Sequence, residues 1–569
     1  MESVQQGSSP QADHDSVQID RYFQTARRHH MERMSEPAIS GYRAVLTLCP
    51  EHGDSLNSLA LLLRQGGRDD DAIRLFRRAI CSGPDNAKFP NNLGNALVAN
   101  GELDDAFGCF RRAMALDPGL AQIAGNLGSS WLDQGHLARA SACYERAIAI
   151  DPGFSAGFRF LLLCACYGDD FTLSSYAEVH RRFGAAFHIA AVSPRQFANK
   201  NRLPRKLRIG YLGSDFRHHP VGRSLLPVVQ HHDRQKFEYH IFSEVARPDA
   251  VTDQFRAAVD GWQDIAGMSD AQVAERIRAD GIDVLVYLAG HFDGNRPQVA
   301  AHRAAPVQIS FHDVATSGLS QMDYIIGDPM LLPLHHAEYF AERLLRLPQF
   351  YLGELPADLP PVDQIGGFGP AIFGCFNNPS KITPTALRLW GAILGAFPGS
   401  RLVLRYMDRY RSREARGRIV ETLAQVGVPV DRVEFGMEKV GTDHAFMENY
   451  SRIDVALDTL PFSGSLTTFQ ALAMGVPVVT LPGDRMVSRW TATMLQGMGM
   501  PEMVAGSAED YVAIAIQTAE QRSVWRQRRG AIRRQLAESP LCDAAGRARQ
   551  LERLYKAAWR RWSERAMAG

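Results

Sequence analysis

A 34-residue period runs through the first part of this chain and constrains its fold more than any other feature. Four residue types recur at that interval: Pro50, Pro84, Pro118 and Pro152; Gly67, Gly101 and Gly135; Ala72, Ala106 and Ala140; and Phe76, Phe110 and Tyr144. Self-similarity at a fixed period of this length indicates a pair of helices in each repeat. One pair cannot bury its apolar face alone, so the repeats must stack on one another.

A small residue at the helix crossing, a glycine in the turn and a proline after the second helix resemble tetratricopeptide repeats. The repeat that ends at Pro50 has Arg33 in place of the turn glycine and Val45 in place of an alanine, as expected of a terminal repeat. The sequence therefore predicts an α superhelix with a concave groove over residues 21–190, after a disordered segment at 1–20.

Composition excludes several classes of protein. A chain of 569 residues is too long for one core and should hold several domains. Its net charge of +1 gives no field that would favour nucleic acid or an anionic membrane. The eight cysteines lack metal-ligand spacing, and the polar start lacks a signal peptide. We therefore expect a cytoplasmic protein without a metal, a nucleic-acid partner or a membrane partner.

Beyond residue 205, short apolar segments alternate with helix-like spacers, which predicts mostly parallel α/β sheets. A first series, beginning LRIGYLGSD, predicts a Rossmann-like domain over 205–352. A Pro- and Gly-rich linker over 353–370 precedes a second Rossmann-like domain over 371–565, which ends in an amphipathic helix. Two such domains in tandem imply a cleft between them, with ligands at the carboxyl ends of the strands.

Three segments place reactive side chains at those strand ends. In IDVALDTLPFSGSLTT, Gly464 permits close backbone approach. Thr467 and Thr468 begin a helix, and their hydroxyls and the free amides are predicted to point outward, which suits a diphosphate. An ordinary capped helix is the alternative. Lys381 precedes a helix predicted to start after Thr383, and it is either a phosphate ligand or a surface lysine. SDFRHHP, residues 214–220, should bring a histidine to the opposite wall of the cleft.

In order along the chain, these motifs resemble the O-linked N-acetylglucosamine transferases, glycosyltransferases with the GT-B fold. They are the repeats, SDFRHHP, LLPVVQHHDRQKFE, GHFDGNR, APVQ with TSG and DYII, FNNPSKITP, LDTLPFSG with TT and GVPVVTLPG, and SPL with LERLY. The resemblance implies an inverting, metal-independent enzyme that needs no cofactor. It would move N-acetylglucosamine from UDP-N-acetylglucosamine to Ser and Thr hydroxyls of proteins held in the repeat groove.

The resemblance also implies a role for individual residues. His219, Lys381 and Asp215 would be catalytic, with His219 as base or acceptor-orienting group, although a donor phosphate oxygen could equally take the proton. The implied UDP contacts are Asn378, Lys381, Lys439, His444, Gly464, Ser465, Leu466, Thr467, Thr468 and Gln470. The implied sugar or acceptor region is His218, Pro220, His291, Thr316 and Ser317, and the peptide groove holds Asn92 and Asn126.

Three departures from the family leave alternatives open. Gln470 stands where the family often has an aspartate, FHDVATSG replaces a longer glycine-rich loop, and Ser58 interrupts the asparagine series. A related O-fucosyltransferase that uses GDP-fucose, or a weakly active repeat scaffold that binds a nucleotide sugar, fits the same motifs. The asparagines could also simply brace neighbouring helices.

Overall fold

The computed structural model describes residues 10–189, 197, 205–292, 294–362, 369–438 and 441–568. It forms two compact units, Met1–Gly157 with Arg411–Glu414, and Phe158–Tyr410 with Ala415–Gly569. None of the helices in these described ranges is both long enough and apolar enough to cross a bilayer.

The first unit consists of helices that pack in consecutive pairs. They are α1 (Pro10–Met31), α2 (Ser35–Leu48), α3 (Gly53–Gln65), α4 (Asp69–Ser82), α5 (Lys88–Ala99), α6 (Leu103–Leu116), α7 (Ala121–Asp133) and α8 (Leu137–Ile150). Helix α1 begins at Pro10, so residues 10–20 are helical. The prediction of a disordered segment is therefore wrong for these residues. Residues 1–9 lie outside the described part of the chain.

The periodic residues occupy the positions that a helical repeat requires. The three alanines and three aromatic residues of the period are buried at 2% exposure or less. The turn glycines have φ of 77°, 79° and 81°, and Arg33 takes the same left-handed conformation with φ 60°. The terminal repeat therefore keeps the turn although it lacks glycine, the residue that adopts a positive φ without strain.

Three arginines at the same period join consecutive repeats. Arg78, Arg112 and Arg146 donate from Nη2 to the carbonyl oxygens of Pro50, Pro84 and Pro118 at 2.6, 3.0 and 3.1 Å. Each bond satisfies a backbone carbonyl in the turn that ends the preceding repeat. Sequence analysis did not identify this series.

The second unit opens with the end of α9 (Ser155–Tyr167) and with α10 (Leu173–Ala186). Its N-terminal α/β domain has a parallel sheet of order β3-β2-β1-β4-β5-β6-β7. The strands are β1 (Leu207–Gly213), β2 (Phe237–Ser243), β3 (Gly261–Asp264), β4 (Val284–Leu288), β5 (Val307–Phe311), β6 (Tyr324–Gly327) and β7 (Arg343–Arg346). The helices are α11 (Pro220–Gln230), α12 (Ala250–Ala258) and α13 (Asp270–Ala279).

The C-terminal α/β domain has a second parallel sheet, of order β10-β9-β8-β11-β12. Its strands are β8 (Ile372–Cys375), β9 (Arg401–Arg405), β10 (Val433–Gly436), β11 (Val455–Leu457) and β12 (Val478–Val479). The helices are α14 (Pro384–Ala396), α15 (Arg413–Gln425), α16 (Asp443–Glu448), α17 (Leu466–Ala473), α18 (Trp490–Gly497), α19 (Ala508–Glu520), α20 (Arg522–Gln527), α21 (Arg529–Glu538) and α22 (Ala544–Ala568).

The strand order reverses between β1 and β4 in the first sheet and between β8 and β11 in the second. Ligands of open parallel sheets bind at such switch points, beyond the carboxyl ends of the strands. The segment that contains His219 follows β1, Lys381 follows β8, and the loop 463–468 follows β11. The topology therefore places all three motif segments where a ligand is expected.

An aromatic cluster joins the two α/β domains within the second unit. Its members, all at most 6% exposed, are Phe311, His312, Phe350, Tyr351, Phe469 and Trp490. Consecutive rings lie within contact distance, as between Phe350 and Trp490 at 5.1 Å and between Tyr351 and Phe469 at 5.8 Å. The walls of the cleft are therefore held together by a packed core.

Candidate active site

The loop after β11 is held in shape by a buried carboxylate. Asp458 accepts from the backbone N–H of Gly464 at 2.7 Å and from the Thr480 hydroxyl at 2.7 Å. Burial raises the pKa of Asp458. A Cβ on Gly464 would lie 2.2 Å from Thr468 Oγ1, so only glycine fits here. Sequence analysis identified Gly464 but not Asp458, which fixes the loop.

Helix α17 begins at Leu466, and no side chain caps its N-terminus. The first amides of such a helix can bind an anion, as predicted. The prediction that the two threonine hydroxyls point outward is wrong. The Thr467 hydroxyl donates to Asn377 Oδ1 at 2.7 Å, and the buried Thr468 hydroxyl contacts Thr491 Oγ1 at 2.9 Å. Backbone N–H groups, rather than these hydroxyls, are left for a ligand.

Lys381 lies beside this loop and is not a surface lysine. Its ammonium is 3.4 Å from the carbonyl oxygen of Ser463 and 3.9 Å from the centre of the Phe462 ring. Burial lowers the pKa of Lys381 to about 8. As predicted, Thr383 caps the following helix, α14, through the N–H of Ala386. A half-buried cation next to a helix N-terminus suits a diphosphate.

The other predicted UDP contacts are more scattered. Asn378 uses its side-chain oxygen to cap the short turn that carries Lys381, accepting from Ser380 N at 3.0 Å. His444, in the first turn of α16, donates from Nδ1 to the carbonyl oxygen of Asp358 at 3.1 Å. Lys439 lies outside the described residues.

His219 caps α11 at the switch point of the first sheet. Its Nδ1 lies 3.4 Å from Val221 N, from which it accepts when unprotonated, and 3.5 Å from Asp215 Oδ1, to which it donates when protonated. Asp215 is fully buried and accepts from Ser214 Oγ at 3.0 Å and Asn295 Nδ2 at 2.9 Å. Asp215 therefore lies beside this imidazole, as predicted, and Nε2 can accept a proton when Nδ1 carries one.

His218 faces the C-terminal domain instead of the sheet. Its Nε2 lies 2.8 Å from Arg223 Nη2 and 3.2 Å from Asp443 Oδ2 of α16, and Arg223 forms an ion pair with the same carboxylate. Burial lowers the pKa of His218. This cluster of His218, Arg223 and Asp443 spans the cleft between the two α/β domains, and only His218 was predicted.

A pocket between these domains brings predicted residues from both walls together. Pro220, Leu466 and Gln470 line it, and so do residues that the motifs did not indicate: Arg223, Ser224, Tyr351, Leu352, Gly353, Glu354, Pro356, Met447 and Phe469. Mostly apolar walls with a few polar groups are typical of small-ligand sites. The signal that would have indicated Arg223 is its position one turn after His219 on the same helix.

Thr316, Ser317 and His291 lie away from this pocket. The Thr316 hydroxyl and the Ser317 N–H donate to the carboxylate of Glu342 at 2.6 and 2.7 Å, and both residues are fully buried. His291 donates from Nε2 to the Ser317 carbonyl oxygen at 3.1 Å, and burial lowers its pKa to about 4. These three residues therefore brace the 311–318 loop from within, and their contact with sugar or acceptor stays a prediction.

The asparagines of the first unit form a chain of amide hydrogen bonds. Gln122 donates to Asn126, Asn126 to Asn91, Asn91 to Asn92 and Asn92 to Asn57, at 2.9, 2.8, 3.4 and 2.9 Å. The chain continues through Asn57 although Ser58 breaks the predicted register. The amides thus brace neighbouring repeats, and each still has an N–H and an acceptor to spare. Their role in a peptide groove stays a prediction.

Over the described ranges, no three His, Cys, Asp or Glu side chains cluster as metal ligands do. The candidate site contains the Lys381 ammonium, the first amides of α17 and the contact between His219 and Asp215. Together with two doubly wound parallel sheets that face a cleft, it defines a GT-B protein with an N-terminal array of helical repeats.

Comparison with known proteins agrees with that class. The model of glycosyl transferase family 41 matches residues 186–361 and 368–551, and a tetratricopeptide repeat model matches 23–87 and 91–153. The chain belongs to glycosyl transferase family 41.

Its relatives include plant and bacterial proteins. A tomato (Solanum lycopersicum) protein named probable UDP-N-acetylglucosamine–peptide N-acetylglucosaminyltransferase SPINDLY is 33% identical over 413 residues, 71% of this chain and 44% of the relative. The Arabidopsis thaliana protein SEC is 28% identical over 67% of this chain and 41% of the relative. This chain thus spans less than half the length of these two plant relatives.

Among solved structures, a mutant of the Thermobaculum terrenum O-GlcNAc transferase superposes with a TM-score of 0.82 at 33% identity, covering 90% of this chain and 98% of that one. The shared fold therefore extends over both the repeats and the α/β domains.

Proposed function

We propose that this protein transfers N-acetylglucosamine from UDP-N-acetylglucosamine to Ser and Thr hydroxyls of proteins, with inversion at the sugar carbon. The observation that carries this proposal is that Lys381 bonds the loop before the uncapped start of α17 in one α/β domain, while His219 lies beside Asp215 in the other. A leaving diphosphate on one wall and a proton acceptor on the other are what such a displacement needs.

In the proposed reaction, the acceptor hydroxyl oxygen forms a bond to the anomeric carbon while the bond from that carbon to the diphosphate breaks. The electron pair of the broken bond leaves with the diphosphate, whose charge Lys381 and the helix amides stabilise. The hydroxyl proton goes either to Nε2 of His219, whose Nδ1 faces Asp215, or to a phosphate oxygen of the donor. No residue role in this scheme depends on a metal or cofactor.

The names of the relatives support the choice of donor, because SPINDLY and SEC proteins are both named as probable N-acetylglucosaminyltransferases that act on peptides. The repeats support a protein acceptor, since stacked helical repeats present extended binding surfaces. We place this reaction in the cytoplasm.

Calorimetry with UDP, UDP-N-acetylglucosamine, GDP and GDP-fucose, all in the presence of EDTA, tests the donor. We expect UDP and its sugar to bind and the guanine nucleotides to bind more weakly. Preference for GDP-fucose would favour the O-fucosyltransferase alternative, and loss of UDP binding in EDTA would reveal a metal requirement. Intact-mass measurement of a Ser- and Thr-containing peptide incubated with enzyme and donor tests transfer. Donor binding without any transfer would favour the scaffold alternative.

A further inference from the structure

The pocket between the α/β domains contains an arginine that no motif indicated. We infer that Arg223, on α11 of the N-terminal α/β domain, binds the nucleoside half of the donor nucleotide. This inference rests on the proposed function, and it adds a contact from the wall of the cleft opposite Lys381 and α17.

The position of Arg223 follows from the lining of the pocket. Leu466 and Gln470 line it from α17, where they are four residues apart and so share one face of the helix. Leu466 is the first residue of α17, beside the proposed diphosphate site. A nucleoside that extends from the diphosphate along this face of α17 would therefore contact Arg223 on the opposite wall of the pocket.

The guanidinium is held in one orientation. Nη2 bonds His218 Nε2 at 2.8 Å and forms the ion pair with Asp443 Oδ2. The side chain is 25% exposed. Within the described part of the chain, Nε and Nη1 donate no hydrogen bond, so these donors of the planar fork remain for a ligand.

The neighbours of Asp443 indicate which half of the donor Arg223 meets. Asp443 is the first residue of α16, and Met447 of the same helix lines the pocket beside Arg223. Lys381, at the diphosphate end, is instead bound to the loop at Ser463. Carbonyl oxygens of a pyrimidine and ribose oxygens are hydrogen-bond acceptors, which fit the N–H groups of Arg223. The Gln470 amide adds one donor and one acceptor where a carboxylate would add acceptors only.

Two ligands separate this role from phosphate binding: UDP and inorganic diphosphate, each titrated by calorimetry into the full chain. We expect Arg223→Gln to weaken UDP about tenfold or more, the scale of a lost charge-assisted hydrogen bond, and to leave diphosphate affinity unchanged. Lys381→Ala should weaken both ligands. Arg276→Gln, at an exposed ion pair on α13, is the matched control and should change neither.

Arg223→Lys keeps the charge and most of the packing, and should lose most of the UDP affinity that Arg223→Gln loses. If Arg223→Gln unfolds at a lower temperature than the wild type, the Lys variant decides the test. Unchanged UDP affinity in both variants overturns the inference and leaves the proposed function standing. Equal weakening of diphosphate also overturns it, because Arg223 would then bind phosphate. A wild type that binds diphosphate but no nucleotide overturns both.

Discussion

At the residue scale, the candidate site depends on which polar groups are already bonded within the protein. Sequence motifs indicated Gly464, Lys381, His219 and Asp215, and the structure brings each of these into the expected loop or pair. The motifs could not indicate that the Thr468 hydroxyl is turned inward to Thr491, because that partner lies on another helix. Arg223 was missed for a related reason: its significance comes from Asp443, which is distant in sequence.

We expect UDP affinity to fall as the pH rises from about 7 to about 9.5. Burial lowers the pKa of Lys381 to about 8, and only its charged form, present below that pKa, attracts phosphate. A bound anion stabilises the ammonium, so the decline should extend above pH 8. Calorimetry across this range measures it. Lys381→Ala should bind UDP about 10- to 100-fold more weakly at pH 7 and lack the decline. A decline of the same size in that variant would assign the titration to another group.

His219→Ala should reduce the rate of transfer about 100-fold or more while UDP affinity stays nearly constant, because the residue handles the acceptor proton or orients the acceptor. His218→Ala should reduce the rate of transfer less than His219→Ala does, and it should weaken UDP binding. The reason is that His218 bonds the guanidinium of Arg223. Transfer rates by mass spectrometry and UDP affinities by calorimetry separate the two variants. If their effects were exchanged, the assignment of the two adjacent histidines would be wrong.

At the element scale, periodicity and strand order predict more than side-chain detail does. The 34-residue period indicates the helix pairs of the first unit because each repeat must bury the same small and aromatic residues. The alternation of apolar segments and helices indicates parallel sheets, whose switch points then locate the site. Residues 10–20, the start of α1, were missed because they are polar and precede the repeat pattern.

Two glycines in the first unit make a matched pair for testing the repeat packing. A Cβ on Gly94 would lie 2.6 Å from the buried Phe110 ring, whereas a Cβ on Gly108 would meet nothing within 4 Å. We expect Gly94→Ala to destabilise the repeats by about 1–3 kcal/mol through overpacking. Gly108→Ala should stabilise helix α6 by up to about 1 kcal/mol. Urea unfolding followed by circular dichroism measures both. Equal effects of the two substitutions would show that Phe110 has room to move.

At the scale of the whole molecule, the second unit depends on groups that tie its two α/β domains together. Besides the aromatic cluster, Glu338 of the N-terminal domain accepts from the Met486 N–H of the C-terminal domain at 2.7 Å. Glu338 is only 4% exposed, and burial raises its pKa to about 8. The sequence predicts two α/β domains with a linker between them, but no sequence signal marks this buried carboxyl.

We expect Glu338→Gln to stabilise the protein at alkaline pH and to have a smaller effect near pH 5. The pKa of this carboxyl is about 8 in the folded protein and about 4.5 in an unfolded chain, so wild-type stability is lost as the pH rises through that interval. Glutamine keeps the acceptor for Met486 and removes the charge. Thermal unfolding midpoints at about pH 5 and about pH 9 measure the difference, with the exposed Glu275→Gln as control. A shift that is the same at both pH values would contradict it.

The arginines that donate to proline carbonyls each reach back only 28 residues, to the turn of the adjacent repeat. No contact of this kind depends on how many repeats precede or follow. Junctions of this kind set no length for the array, and their contributions to its stability add up from one repeat to the next. If one repeat of 34 residues were added or removed between equivalent turns, the arginine-to-proline bonds of the remaining repeats would stay complete.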